Sequence, residues 1–259
     1  MSFAQIDSIH VPAGKKIYFA SDFHLGIPDA ATSLQREKLI CRWLEECSKD
    51  AHHIFLLGDL FDAWLEGNKV VPKGFTRFLG KLATMVDNGI GITAFTGNHD
   101  LWMYGYFEAE LNIPVYHHPI KIEINNKLFL LGHGDGLGPG DLKYKFLKQF
   151  LNNKVCQWLY RRIHPDTGVS IAQFFSEKGL DKKEENELFL GEDKEYLIQF
   201  CKQYILQEHI DYFLFGHRHY KMEYKVNATS TYFNLGDWLR YNSYVVFDGV
   251  ACKLEVYEG

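Results

Sequence analysis

Five times in this chain a short apolar run stops at a polar turn carrying an aspartate, asparagine or histidine, and that recurrence constrains the fold more than any other feature. Residues 16–21 (KIYFAS) end at Asp22-Phe23-His24, and residues 54–57 (IFLL) end at Gly58-Asp59. Residues 90–96 (IGITAFT) run into Gly97-Asn98-His99-Asp100, and residues 128–131 (LFLL) into Gly132-His133-Gly134-Asp135. Residues 212–215 (YFLF) run into Gly216-His217-Arg218-His219. Apolar runs of this length, bounded by turn residues, read as buried strands. The segments between them carry another period. Ile40, Trp43, Leu44 and Cys47 recur at i, i+3, i+4 and i+7, and Phe75, Phe78, Leu79, Leu82 and Val86 follow the same helical spacing.

Strand–helix alternation predicts an α/β fold with parallel pairs and helices packed on the sheet faces. Residues 231–257 depart from it: TYFNLGDW, YNSYVVFDG and CKLEVY read as successive strands with antiparallel pairing. The expectation is therefore a mixed sheet, or a sandwich of two sheets, flanked by helices. Residues 138–205 break the rhythm, being helical in pattern and rich in Tyr, Phe, Trp, Lys and Arg, without a strand-ending motif. They are expected to form a helical insertion or lid over the site, within a single domain spanning residues 1–259.

Composition limits the partners. The net charge of −5 gives no global basic field, so no nucleic-acid partner is expected. Five cysteines lie scattered without paired spacing, which fits reduced thiols and a cytoplasmic compartment. The N-terminus shows no apolar leader behind basic residues, and no apolar run is long enough to span a bilayer. Nothing in the chain implies an obligate protein partner.

In open α/β sheets, ligand sites form outside the carboxyl ends of strands. Here those ends carry Asp22, His24, Asp59, Asn98, His133, His217 and His219. In Asp22-Phe23-His24 and His217-Arg218-His219 the donors stand at i and i+2, so on extended backbone each pair leaves one face. Carboxylates, imidazoles and one amide without thiolates suit Mn²⁺, Fe or Zn²⁺ in a reactive site better than a structural zinc. Seven donors exceed one four-coordinate ion. They suit two divalent ions about 3.5–4 Å apart sharing a carboxylate, an arrangement used for in-line phosphoryl displacement.

The ordered set D-x-H, G-D-x-x-D, G-N-H-D, G-H-G-D and G-H-x-H, spanning Asp22 to His219, resembles the calcineurin-like metallophosphoesterases. The resemblance implies that Asp22, His24 and His219 hold a first metal, Asn98, His133 and His217 a second, and that Asp59 bridges them. It also implies that His99, paired with Asp100, stabilises the phosphate or protonates the leaving group. Asp62 reads as a carboxylate behind the metal ligands, and Asp135 as an anchor for its loop or a partner of a histidine. The other histidines, His53 among them, lack a strand-end motif and read as surface or capping residues.

A narrower resemblance comes from Gly58-Asp59-Leu60-Phe61-Asp62-Ala63-Trp64, and from His133-Gly134-Asp135 followed by Asp141 and Tyr144. These look like the UDP-2,3-diacylglucosamine pyrophosphatases of lipid A synthesis, which also carry an inserted helical lid there. The resemblance implies Mn²⁺-dependent hydrolysis to UMP and 2,3-diacylglucosamine 1-phosphate, with Trp64, Asp141 and Tyr144 contacting substrate. An acylated UDP-sugar substrate implies work at the inner face of the cytoplasmic membrane. Phe146, Phe150, Val155, Trp158, Leu159, Phe174 and Phe175 then suit either helix core or a lipid groove. Lys143, Lys145, Lys148, Lys154, Arg161 and Arg162 suit either a solvated face or anionic headgroups. The chain departs from that narrower family at His99, where GNRD is common, and at Arg218, where GHTH is common. Another nucleotide-linked pyrophosphate, a phosphodiester or a phosphomonoester stays open as substrate. A non-catalytic scaffold is the third reading, and relatives of that kind have lost ligands that are all present here.

Overall fold

The computed structural model describes residues 3–67, 69–139 and 191–259, and between the last two residues 145, 146, 148, 151, 153–160, 162, 167 and 189. Two mixed six-stranded sheets pack face to face. Along the chain come β1 (Ala4–Gln5), β2 (Lys16–Ala20), α1 (Ala30–Cys47), β3 (Ala51–Leu57), α2 (Thr76–Asp87) and β4 (Gly91–Phe95). They are followed by α3 (Tyr106–Leu111), β5 (Val115–Tyr116), β6 (Ile120–Ile124), β7 (Lys127–Leu131), α4 (Lys154–Tyr160) and α5 (Tyr196–Tyr204). The chain closes with β8 (Tyr212–Phe215), β9 (Lys221–Lys225), β10 (Thr231–Leu235), β11 (Ser243–Phe247) and β12 (Cys252–Val256). One sheet has the order β12-β11-β2-β3-β4-β5 and the other β1-β6-β7-β8-β10-β9.

The central strands become apolar toward their carboxyl ends, as in residues 54–57 of β3, because both faces are covered there. In β3, Phe55 and Leu57 point into the sandwich against Phe19, Phe129 and Leu214, while Ile54 and Leu56 point out toward Trp43, Leu44 and Phe78 of α1 and α2. On the other sheet, Leu197, Ile198, Phe200 and Cys201 of α5 cover Phe213, Phe215 and Tyr232. The result is four layers: α1 and α2, sheet, sheet, α5. Although it falls within residues 138–205, α5 is therefore part of the scaffold. Within the same stretch, α4 exposes Val155, Trp158 and Leu159, which share one helix face.

The C-terminal strands correct one expectation. β11 and β12 do pair antiparallel. β10, however, leaves them for the other sheet, where it runs parallel to β8 and antiparallel to β9. The link between sheets, residues 236–242, begins at Gly236 with φ +73°, a backbone state that glycine enters without strain.

Candidate metal centre

Every candidate donor emerges from the carboxyl end of a central strand, β2, β3 and β4 from one sheet and β7 and β8 from the other. The two sheets thus end on a common rim. The backbone there is not extended, which corrects the i, i+2 argument. Asp22, His24, Asp59, His217 and His219 all have positive φ, between 44° and 68°. Non-glycine residues adopt this left-handed state at a cost and concentrate in it at functional sites. Alternation of left-handed residues, rather than pleat, turns both side chains of each pair to one point. Glycine is required beside them: a Cβ on Gly58 would lie 2.7 Å from Gly97 N and 2.8 Å from His133 Nδ1.

The donors fall into two groups that share one residue. Ligand atoms of Asp22, His24, Asp59 and His219 lie within 4.8 Å of one another, as do those of Asp59, His133 and His217. Asn98 joins the second group through Oδ1, 2.7 Å from His217 Nδ1 and 3.2 Å from His133 Nε2. Asp59 spans both. Its Oδ1 accepts the His99 backbone N–H at 2.8 Å, while Oδ2 stands 3.7 Å from His24 Nε2 and 3.2 Å from His133 Nε2. In the first group His24 Nε2 and His219 Nε2 approach to 3.2 Å, and His219 Nε2 lies 3.4 Å from Asp22 Oδ1.

The electrostatics suit cations. Burial pushes the Asp22 carboxyl up, but His24, His133 and His219 outweigh it and hold it down at about 2. Asp59 is likewise pushed up by burial and driven well below the ordinary range by His133, His99 and His24. Two buried carboxylates thus stay ionised within an oxygen and nitrogen donor set. That set fits a pair of divalent ions rather than a sulfur-held structural metal.

Carboxylates behind the donors orient them. Asp62 Oδ1 lies 3.6 Å from His24 Nδ1 and 3.2 Å from His99 Nδ1. Asp237 Oδ2 lies 3.6 Å from His219 Nδ1, while its Oδ1 accepts the Arg240 N–H at 2.8 Å. Carboxylates behind ligating imidazoles fix ring orientation and tautomer. Arg36 of α1, itself buried, donates to the carbonyls of His24 and Ile27 and pins the first donor turn. Asp237 and Arg36 were not identified from sequence. The GDW of the β10 run was a signal for Asp237, but Arg36 had none beyond its place in an amphipathic helix.

Other expectations fare differently. His99 meets Asp62 and not Asp100. The Asp100 carboxylate is fully buried and accepts backbone N–H groups from Gly97 (2.6 Å) and Leu60 (2.7 Å), tying the Asp59 and Asn98 turns together. Trp64 does not face a substrate. It is fully buried among Phe61, Tyr106 and Phe107, with Nε1 donating to Glu66 Oε1 at 2.9 Å. An indole is mostly hydrocarbon, and the Phe61 cluster outcompetes the site for it. Asp135 accepts from Lys148 Nζ at 2.5 Å, anchoring its loop as expected. Asp141 and Tyr144 lie outside the described residues, as do Phe150, Phe174, Phe175, Lys143 and Arg161.

Comparison with known proteins gives a consistent picture. Residues 15–221 match the calcineurin-like phosphoesterase family. A UDP-2,3-diacylglucosamine hydrolase of Porphyromonas gingivalis is 37% identical over 94% of this chain and 98% of its own. Proteins of the same name from Actinobacillus succinogenes and Pasteurella multocida are each 24% identical, over 86% of this chain and 92% and 90% of theirs.

Proposed function

Because this chain belongs to the calcineurin-like phosphoesterase family, we propose that it hydrolyses the pyrophosphate bond of UDP-2,3-diacylglucosamine, releasing UMP and 2,3-diacylglucosamine 1-phosphate. It is a metal-dependent hydrolase. The observation that carries the reaction class is the pair of donor groups sharing Asp59. The substrate rests on the near full-length likeness to the Porphyromonas gingivalis hydrolase.

In this reading Asp22, His24 and His219 would hold one ion and Asn98, His133 and His217 the other, with Asp59 shared between them and Mn²⁺ as the native metal. When bound, the ions acidify water toward neutral pH and neutralise charge on the phosphoryl oxygens. The protein's own part is orientation and proton handling. His99 Nδ1 lies against Asp62, at 3.2 Å from Oδ1 and 3.1 Å from the main-chain oxygen. That contact fixes the ring by Nδ1, and in this reading Nε2 is the atom that serves the phosphate or the departing oxygen. Asp100 acts through the backbone, holding the Asp59 and His99 turns at their mutual distance. Asp141 and Tyr144 remain proposed substrate contacts.

The exposed apolar face of α4 supports acyl-chain or membrane contact. Val155, Trp158 and Leu159 are 64%, 55% and 54% exposed, and Arg162 lies over the Trp158 ring. Apolar side chains beside basic ones suit a lipid interface. No helix among the described residues is long and apolar enough to cross a membrane; in this reading α4 makes a peripheral contact at the cytoplasmic face. In this reading the part of residues 138–205 that precedes α5 is the insertion that receives the acyl chains, within one domain.

Purified protein with Mn²⁺ should release UMP from UDP-2,3-diacylglucosamine much faster than from unacylated UDP-sugars or an aryl phosphodiester. Cleavage of the phosphodiester with no UMP from the acylated substrate would refute the substrate while leaving the reaction class intact.

A further inference from the structure

Arg218 stands between two donor residues, His217 of the second group and His219 of the first. It is only 7% exposed and pairs with Glu195, which is 1% exposed. The pair is two-pronged: Nε donates to Oε2 at 3.1 Å and Nη2 to Oε1 at 2.9 Å. The rings of Tyr196 and Tyr220 flank the guanidinium at 5.9 and 5.2 Å. Glu195 is the residue that opens α5, and α5 is fastened to the sheet by Leu197, Ile198, Phe200 and Cys201. The same helix start touches the His133 loop, since a Cβ on Gly134 would lie 3.3 Å from Leu197 Cδ1.

A planar five-donor fork holds a carboxylate in one orientation, which a lysine cannot do. The turn it holds contains two left-handed non-glycine residues, at φ 68° and 53°, a conformation that persists only where surroundings enforce it. From the other side the turn is braced by the Asp237–His219 contact.

We propose that Arg218 is a positioning residue. Its paired guanidinium anchors the Gly216–His219 turn to the start of α5, and so fixes one imidazole of each metal group. The inference rests on the metal-centre reading above and adds a residue that touches no donor atom through its own charge. It also assigns a role to the arginine by which this chain departs from the GHTH pattern.

The test is Mn²⁺ binding by calorimetry, with thermal stability measured separately in chelator. R218K keeps the charge and loses the fork, and should weaken Mn²⁺ binding about tenfold, the size expected when support of a ligand is removed. The double variant R218M/E195M removes both buried charges together, which preserves stability where removing one would not. Its melting temperature in chelator should equal or exceed that of the wild type, with Mn²⁺ binding still weakened about tenfold. Coupling is reciprocal, so in the unaltered protein Mn²⁺ should slow amide hydrogen exchange over residues 195–199. Variants that bind Mn²⁺ like the wild type, or exchange over 195–199 that ignores Mn²⁺, would overturn the inference alone. Unaltered protein that takes up no Mn²⁺ would overturn the metal centre and this inference with it.

Discussion

The proton handling proposed here falls to His99, whose ring is held by Asp62 rather than by its sequence neighbour. His99→Gln should lower kcat by about 10²–10⁴-fold with little change in KM, the range for loss of a general acid. A matching rise in KM would mean that the ring only binds. Asp237→Asn should weaken Mn²⁺ affinity about tenfold or more in a calorimetric titration, because His219 loses the carboxylate that orients it. The seven donors could be read in the sequence because each follows a β run directly, and a strand end is a fixed place in a sheet. Asp237 and Arg36 could not be read in that way. Asp237 reaches His219 only because β10 crosses to the other sheet, and Arg36 reaches the His24 carbonyl only through the packing of α1. An aromatic residue beside a site motif serves core and ligand equally, and only burial tells the two apart, as at Trp64.

Among the elements, α2 depends on a cap from another helix. Phe75 precedes it at φ 55° without a side-chain cap, and Glu37 of α1 accepts the N–H groups of Arg77 and Phe78 at 2.8 and 3.0 Å. Glu37→Ala leaves both donors without this acceptor, that of Phe78 in a buried position, and should cost about 1–3 kcal/mol, lowering the melting temperature by about 2–4 °C per kcal/mol. Glu37→Gln retains an acceptor and should cost less. On β3, His53 is partly buried, packed over Gly91 and within 2.9 Å of Thr93 Oγ1, so it is not the surface histidine expected. Burial, aided by His52, pushes its pKa down to about 4. The unfolded chain holds a proton there below about pH 6.5 that the folded chain refuses. Its contribution is therefore complete above pH 6.5 and is lost as pH falls toward 4. Melting curves of His53→Gln should show a shallower decline over that window, and an unchanged decline would refute the assignment. The β runs at 54–57, 128–131 and 212–215 lie within β3, β7 and β8 because covered faces make strands apolar throughout. β9 carries no such apolar signal: as an edge strand it reads KMEYK, with charges on it that discourage further pairing.

As a whole the molecule places its donors where two sheets end together, so neither sheet holds a complete site alone. That architecture was legible as strand–helix alternation with a β-rich end, but the division of strands between sheets was not. Division is set by which apolar faces meet, and those pairings are distant in sequence. On the exposed face of α4, Trp158→Ser with Leu159→Ser should reduce co-sedimentation with anionic vesicles while Mn²⁺ binding is unchanged. Equal sedimentation of the variant would remove that face from the account. The central claim is that two half-sites joined by Asp59 form one hydrolytic centre. Its most direct test is a Mn²⁺ titration of metal-free protein that follows bound metal and UMP release together. The account predicts two ions per chain, UMP release that appears as the second binds, and loss of both the second ion and turnover in Asp59→Ala. Full turnover with one ion bound, or undiminished turnover in Asp59→Ala, would contradict it.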